Sequence, residues 1–140
     1  MSAVTLTQRG PVATLTLNRA ASRNALGPGM IAELTAFFGA FAWDETRVVV
    51  ITGDGSAFSA GADVDWMRAS RDLTDEQNLA DAATARTMWE TIDGCPKPVV
   101  ARVNGAAMGG GAGLVACADV AVTVDTAEFG LVSSPYRFLL

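Results

Sequence analysis

The strongest constraint on the fold lies in residues 97–114, which read Lys-Pro-Val-Val-Ala-Arg-Val-Asn-Gly-Ala-Ala-Met-Gly-Gly-Gly-Ala-Gly-Leu. Residues 99–103 form a β-branched run that predicts a buried strand. A loop at residues 104–105 follows, and the small residues after it predict a helix that runs to about Ala118. Glycines 109–111 have no side chains, so a ligand can approach their backbone N–H groups closely. Because a helix also begins with amides that lack intrahelical partners, this stretch predicts an anion or oxyanion site.

Composition narrows the classes of protein to which the chain can belong. The 140 residues are half hydrophobic, which predicts one domain over residues 1–140 with a packed core. The net charge of −5 argues against a nucleic-acid partner. Histidine is absent, which excludes Ser–His–Asp and Cys–His catalysis and any His-ligated metal site, so no metal is expected.

The cysteines and the apolar segments point to a soluble protein. Cys95 and Cys117 lack the spacing of metal ligands and are predicted to be buried free thiols. The longest apolar region, residues 30–43, is interrupted by Glu33 and Thr35 and is too short to span a bilayer. No signal peptide is recognisable. We therefore expect a cytoplasmic protein without a membrane partner.

Hydrophobic periodicity predicts an α/β fold. Two alternating segments separated by Gly10 and Pro11 predict a β-hairpin, and a helix with one apolar face is expected to begin at Pro28. The other predicted elements are a strand at 48–51 covered on both faces, a helix with a capping box at 74–77 that ends at Gly94, a strand at 120–124 and a short element beginning in 127–130. The alternation of strands and helices after the hairpin predicts a largely parallel sheet. Residues 133–140 show neither helical nor strand periodicity.

Two loops allow more than one interpretation. The polar loop at residues 18–26 carries Arg19 and Arg23, and the pattern alone favours a solvated loop over a phosphate contact made by the arginine side chains. The small residues at 52–63 follow a predicted buried strand. They fit an ordinary strand-to-helix turn, and they also lie where open α/β sheets bind ligands.

Residues 111–116 match the dinucleotide fingerprint G-x-G-x-x-A, but their context does not. Several residues separate Val103, the end of the predicted strand, from Gly111, and Glu128 is only an approximate candidate for the expected acidic residue. No Gly-Lys-Ser/Thr follows the glycines, which excludes a P-loop. A nicotinamide dinucleotide is therefore not the expected ligand.

Three co-ordered segments carry a resemblance to a known family. They are Leu-Asn-Arg through Asn-Ala-Leu at 17–26, Ile-Thr-Gly through Phe-Ser-Ala-Gly-Ala-Asp at 51–63, and the stretch from Lys97 to Ala121 with its Asn-Gly and Gly-Gly-Gly motifs. In order, spacing and residue type the chain resembles the crotonase (enoyl-CoA hydratase/isomerase) superfamily up to about Val132. The resemblance implies a crotonase-like ββα superhelix that is incomplete at its C-terminus.

The resemblance also implies a site. The backbone N–H groups of Ala62 and Gly110 would form an oxyanion hole for the thioester carbonyl of an acyl-CoA, the expected partner, in reactions of the kind used in fatty acid metabolism. No cofactor is implied beyond the coenzyme A of the substrate, and full-length relatives form homotrimers or hexamers. The residues expected along the coenzyme A moiety are Arg23, Asn24, Ala25, Ala60, Gly61, Asp63 and Val64.

The chain departs from the family pattern at both glutamates that hydratases use as general acid and base. Gly113 stands at the first position and Ser133 at the second. Residues 63–67 and 113–115 look most like the methylglutaconyl-CoA hydratase branch. Family members are nearly twice this length, so we expect an N-terminal fragment whose activity is either of the hydratase or isomerase type or reduced to thioester binding.

Four other carboxylates lie near the implied site. None stands at a position that the family uses for proton transfer, so we expect each to be a helix cap or a solvated charge. They are Asp63, Asp65, Asp119 and Glu128.

Overall fold

A five-stranded sheet forms the centre of the molecule, in a computed structural model that describes residues 2–40 and 45–131. The strands are β1 (Val4–Arg9), β2 (Val12–Leu17), β3 (Val48–Gly53), β4 (Val99–Val103), β5 (Ala107–Met108), β6 (Val120–Thr123) and β7 (Phe129–Gly130). The sheet has the order β1-β2-β3-β4-β6, and β5 pairs separately with β7. β1 and β2 are antiparallel and the other neighbours are parallel, which confirms the predicted hairpin and the parallel sheet after it.

Within the described residues, four α-helices connect these strands. They are α1 (Pro28–Ala40), α2 (Val64–Ala69), α3 (Asp75–Asp93) and α4 (Gly110–Ala116). The predicted capping box of α3 is present, since Thr74 Oγ1 accepts from the Gln77 amide and Gln77 Oε1 accepts from the Thr74 amide. For α2, the sequence indicated only a strand-to-helix turn at residues 52–63, as one of two interpretations, and no bounds for the helix. Asp63 caps it by accepting from the amides of Asp65 and Trp66.

The prediction of an uninterrupted path from the 104–105 loop into the glycine helix is wrong. The two-residue strand β5 comes between them, and α4 ends at Ala116 rather than near Ala118. β5 exists because it pairs with β7: the Ala107 amide donates to the Glu128 carbonyl and the Gly109 amide to the Gly130 carbonyl. Such a pairing between distant segments leaves no local periodicity in the sequence.

The core lies on one face of the sheet, beneath α1 and α3. Val49 and Ile51 of β3 are buried, whereas Val48 and Val50 are only half-buried. The prediction that β3 is covered on both faces is therefore confirmed for the face of Val49 and Ile51, which joins the core cluster. It holds only in part for the other face, where Thr52 is buried but the two valines are half-buried. All four residues of β6, the last strand of the sheet, are exposed.

Glu33 ties the core helix α1 to the first strand. Its carboxylate accepts from the amides of Ala3 and Val4 and from the Ser2 hydroxyl. Burial acts to raise the pKa of Glu33, but these hydrogen bonds outweigh burial and the pKa is lowered. This side chain therefore supplies part of the connection between α1 and the N-terminal segment.

Both cysteines are free, and they are half-buried rather than fully buried as predicted. Burial is the main cause that raises the pKa of each thiol. The Cys117 thiol donates to the Trp89 carbonyl at 3.5 Å.

Candidate functional site

Two loops that are distant in sequence pair with each other beside the sheet. Leu26 donates its amide to the Gly61 carbonyl at 2.7 Å, and Asp63 donates its amide to the Leu26 carbonyl at 2.9 Å. The Ala60 amide donates to the Arg23 carbonyl at 2.8 Å. The fold therefore brings together the two stretches that the sequence analysis associated with coenzyme A, residues 23–25 and 60–64.

The second of these loops also packs against the glycine segment. Met108 donates its amide to the Ser59 carbonyl at 2.9 Å. A β-carbon built on Gly61 would lie 2.7 Å from the Met108 carbonyl oxygen, and the φ of Gly61 is +90°. Only glycine satisfies both conditions, because other residues rarely adopt that φ and any side chain would collide with the backbone. Gly61 thus sets the close approach of the two loops.

The two amides predicted as an oxyanion hole flank this contact. Ala62 follows Gly61, and Gly110 follows Gly109, whose Cα lies 3.6 Å from the β-carbon position of Gly61. Within residues 2–40 and 45–131, neither the Ala62 amide nor the Gly110 amide has a hydrogen-bond acceptor. Both neighbouring amides are used by the fold, since Asp63 donates to Leu26 and Gly109 donates to Gly130. Two unpaired donors therefore lie on either side of one backbone contact.

Asn24 is a structural residue of the first loop. Its side chain is fully buried, and its φ is +56°. Oδ1 accepts from the Arg19 amide at 2.8 Å, while Nδ2 donates to the carbonyls of Asp54 and Ala57, both at 2.9 Å. Because these hydrogen bonds occupy the Asn24 side chain, the prediction that Asn24 lies near coenzyme A depends only on its position in the loop.

The two arginines of the polar loop have different environments. Arg19 donates to the Ala25 carbonyl and forms an ion pair with Asp63 at 3.0 Å. Arg23 is exposed, with a φ of +55°. Arg19 therefore serves the fold, and Arg23 is the arginine of this loop whose side chain faces solvent.

Asp63 connects the paired loops to α2. The hydrogen bond from the Trp66 amide is the main cause that lowers the pKa of this carboxyl, and Arg19 adds to the effect although burial opposes it. Asp63 is therefore a helix cap, which is one of the two alternatives expected for it. Asp119 likewise accepts from the Val99 amide at 2.8 Å, and Asp65 and Glu128 are exposed charges.

A cavity of about 500 Å³ adjoins this ion pair. Arg19, Asp63 and Trp66 line it together with the start of α1 at residues 27–30, and neither Ala62 nor Gly110 lines it. The cavity therefore adjoins the predicted coenzyme A path at Asp63 and is not lined by the residues of the two unpaired amides. Val64, the last predicted residue of that path, is exposed at the start of α2.

The position of the first family glutamate is occupied differently. A β-carbon built on Gly113 would lie 3.0 Å from Nε1 of Trp89, a half-buried residue of α3. Trp89 is not among the site residues predicted from the sequence. The signal was its place one residue after buried Met88 and three before buried Ile92, which puts it at the margin of the apolar face of α3. Ser133, the other substituted position, and the 133–140 tail lie outside the described residues.

Comparison with known proteins identifies the family. A family model described as enoyl-CoA hydratase/isomerase matches residues 7–136. The chain belongs to the enoyl-CoA hydratase/isomerase family. Among curated relatives, it is 39% identical to the 2,3-dehydroadipyl-CoA hydratase of Escherichia coli K12 over 132 residues, which are 94% of this chain and 50% of that protein.

Solved structures of this family share the fold. An enoyl-CoA hydratase from Shewanella pealeana matches with a TM-score of 0.84 and 35% identity, over 91% of this chain and 48% of that one. An enoyl-CoA hydratase from Polaromonas matches with a TM-score of 0.84 and 35% identity, over 90% of this chain and 49% of that one. These matches confirm the predicted crotonase-like fold.

The chain spans about half the length of the relatives and neighbours that it matches. This confirms the expectation that family members are nearly twice as long. Among the helices of the described residues, none combines the length and the apolar character needed to cross a bilayer.

Proposed function

We propose that this chain binds an acyl-CoA thioester and holds its carbonyl oxygen between the amides of Ala62 and Gly110. The observation that carries the proposal is the pair of amides, on either side of the Gly61–Met108 contact, that have no acceptor among the described residues. Two fixed donors at one oxygen stabilise the negative charge that develops when the thioester becomes an enolate. Each such donor typically contributes roughly 10²–10³ in rate.

Coenzyme A would lie along the paired loops. Arg23 presents an exposed guanidinium group, which suits phosphate because its planar donors match two oxygens at once. Ala60, Gly61 and Val64 would follow the adenine and pantetheine groups. The proximity of Asp63 to the 500 Å³ cavity supports a path on this side of the site.

The described residues account for thioester binding better than for proton transfer. Gly113 has no side chain, so it cannot act as an acid or base at the position that hydratases use. We propose an enzyme of the hydratase or isomerase type, similar in motif to methylglutaconyl-CoA hydratases. A second candidate is a thioester-binding protein without turnover, and the tryptophan packed at Gly113 favours it.

Calorimetric titration with crotonyl-CoA and with free coenzyme A, followed by an assay for hydration of crotonyl-CoA, tests the proposal. Tighter binding of the thioester than of coenzyme A is expected. Turnover supports the first candidate, and binding without turnover supports the second. Equal affinity for the two ligands, or no binding of either, contradicts the proposal.

The role of the Gly110 amide has a matched pair of variants. Gly110→Pro removes the N–H at the first position of α4, where a helix tolerates proline, whereas Gly110→Ala retains it. Both variants add a β-carbon that meets Leu26 Cδ1 at 2.8 Å and Trp89 Cζ2 at 3.0 Å. Only Gly110→Pro should lose the preference for thioester over coenzyme A, and an equal loss in both variants would assign the effect to packing.

A further inference from the structure

The indole of Trp89 covers the face of α4 on which Gly110 and Gly113 lie. Trp89 Cζ2 lies 3.0 Å from the β-carbon position of Gly110, and Nε1 lies 3.0 Å from that of Gly113. Nε1 also donates to the Gly110 carbonyl at 3.4 Å. The ring therefore extends along one turn of the helix, because residues three apart share a face.

This contact explains why two glycines can occur three residues apart in a helix. Glycine in a helix interior costs roughly 0.5–1 kcal/mol relative to alanine, so Gly113, in the interior of α4, needs a compensating contact. The five-membered part of the indole, with Nε1 at 3.0 Å, Cε2 at 3.4 Å and Cδ1 at 3.6 Å, occupies the approach to Gly113. A side chain at position 113 would have to displace the ring. The absence of a carboxylate at position 113 is therefore linked to the presence of the Trp89 indole beside it.

The same ring borders the proposed oxyanion site. Gly110 supplies one of the two amides. The indole and the apolar side chain of Leu26 both lie against this residue. Trp89 is only partly buried, so part of the residue remains accessible. An acyl group that extends from a carbonyl held at Gly110 would meet an aromatic surface here rather than a carboxylate.

We infer that Trp89 is a specificity-determining residue that forms an apolar wall for the acyl group. This wall favours longer aliphatic acyl chains over shorter ones. The inference rests on the proposed function for its ligand. Its packing component, the contact with Gly113, stands independently of any ligand. The two components therefore need separate measurements.

The ligand measurement compares hexanoyl-CoA, acetyl-CoA and free coenzyme A in calorimetric titrations of the 140-residue chain. Trp89→Ala is expected to weaken hexanoyl-CoA binding by about tenfold and to leave coenzyme A binding within about twofold, since burial of apolar surface provides the difference. Leu79→Ala, an exposed residue of the same helix, serves as the control. An equal loss for all three ligands, or no loss for hexanoyl-CoA, overturns the inference.

The packing measurement follows the thermal midpoint of unfolding. Gly113→Ala should lower the midpoint in the parent chain, because the new methyl group meets the indole, and should raise it when Trp89 is replaced by alanine. If Trp89→Ala does not fold, Trp89→Phe removes the five-membered ring and serves the same purpose. The same sign in both backgrounds contradicts the packing component.

These measurements also separate the inference from the proposed function. If the parent chain binds thioester and coenzyme A equally or not at all, the proposed function fails and the acyl wall is overturned with it, while the packing result still decides the contact. If thioester binding is intact but does not depend on Trp89, only the inference fails.

Discussion

At the scale of single residues, backbone conformation and close contact explain more of the site than side-chain chemistry does. Gly61 combines a φ of +90° with a β-carbon position 2.7 Å from a carbonyl oxygen. Asn24 adopts a φ of +56° and fills its hydrogen-bonding positions with three backbone groups. These two residues hold the loops that present the unpaired amides.

Gly61→Ala should destabilise the protein by at least about 2 kcal/mol, because it adds the cost of a positive φ to a collision with the Met108 carbonyl. Gly29→Ala is the matched control, since Gly29 lies in α1 with nothing within 4 Å of its β-carbon position. The free energy of unfolding of Gly29→Ala should rise by roughly 0.5–1 kcal/mol. Urea unfolding followed by circular dichroism measures both, and a neutral Gly61→Ala would refute the close contact.

The Asp63 carboxyl gives the folded state a defined acid sensitivity. Its pKa is lowered from the ordinary value of 3.8, mainly by the Trp66 amide, so the stability it contributes is present above about pH 5 and is lost as pH falls through 3.8 and below. Asp63→Asn removes this titration. The stability difference between the parent chain and Asp63→Asn, about 1 kcal/mol at neutral pH, should therefore shrink as pH falls below 4.

Asp65→Asn is the matched control for that experiment. The Asp65 side chain is 91% exposed, and its carboxylate forms an ion pair with the exposed Arg68. The same pH series should show almost no difference between Asp65→Asn and the parent chain. A difference at Asp63 that stays constant down to pH 2 would show that the carboxylate charge does not matter.

At the scale of elements, local signals specified most helices and strands. The capping box at Thr74 and the proline at the start of α1 marked helix starts that the structure confirms. The alternating and β-branched runs marked β2, β3 and β4. These signals succeed because capping and side-chain periodicity act within one or two turns of the chain.

Other features could not be predicted because they depend on distant contacts. β5 forms because it pairs with β7. The partial exposure of one face of β3 depends on which elements pack against the sheet. α2 begins after Asp63, whose side chain forms an ion pair with Arg19. Trp89 belongs to the same group. Its position in α3 indicated a partly buried residue, but its contact with Gly113 arises only when α3 and α4 pack together.

The capping box of α3 gives a prediction at this scale. Thr74→Ala removes the hydroxyl that accepts from the Gln77 amide and should cost about 1 kcal/mol. Thr84→Ala, in the middle of the same helix, loses only a bond to the Ala80 carbonyl and should be neutral or gain a few tenths of a kcal/mol. Chemical denaturation measures both changes, and similar values at the two sites would contradict the cap.

At the scale of the whole molecule, the far edge of the sheet exposes apolar side chains among the described residues. β6 is the last strand of the sheet and is exposed along its length, with Val120 at 54% and Val122 at 58% exposure. Phe129 and Leu131 follow at 51% and 79%. An exposed apolar edge strand is a template for association.

The 140-residue chain alone should therefore self-associate through β6. Val120→Lys combined with Val122→Lys should shift it toward a monomer in size-exclusion chromatography with light scattering, because charged side chains at a strand edge oppose pairing. Leu79→Lys is the control, since Leu79 is 72% exposed on α3, away from the sheet edge. A parent chain that is monomeric at all concentrations, or equal effects of both substitutions, would refute this prediction.

The most direct test of the oxyanion site follows the two amide protons themselves. In a ¹⁵N-labelled sample titrated with butyryl-CoA, the Ala62 and Gly110 amide resonances should both move downfield, and free coenzyme A should leave them in place. Movement of neither resonance, or equal movement with free coenzyme A, would contradict the claim that these two nitrogens bind one thioester oxygen.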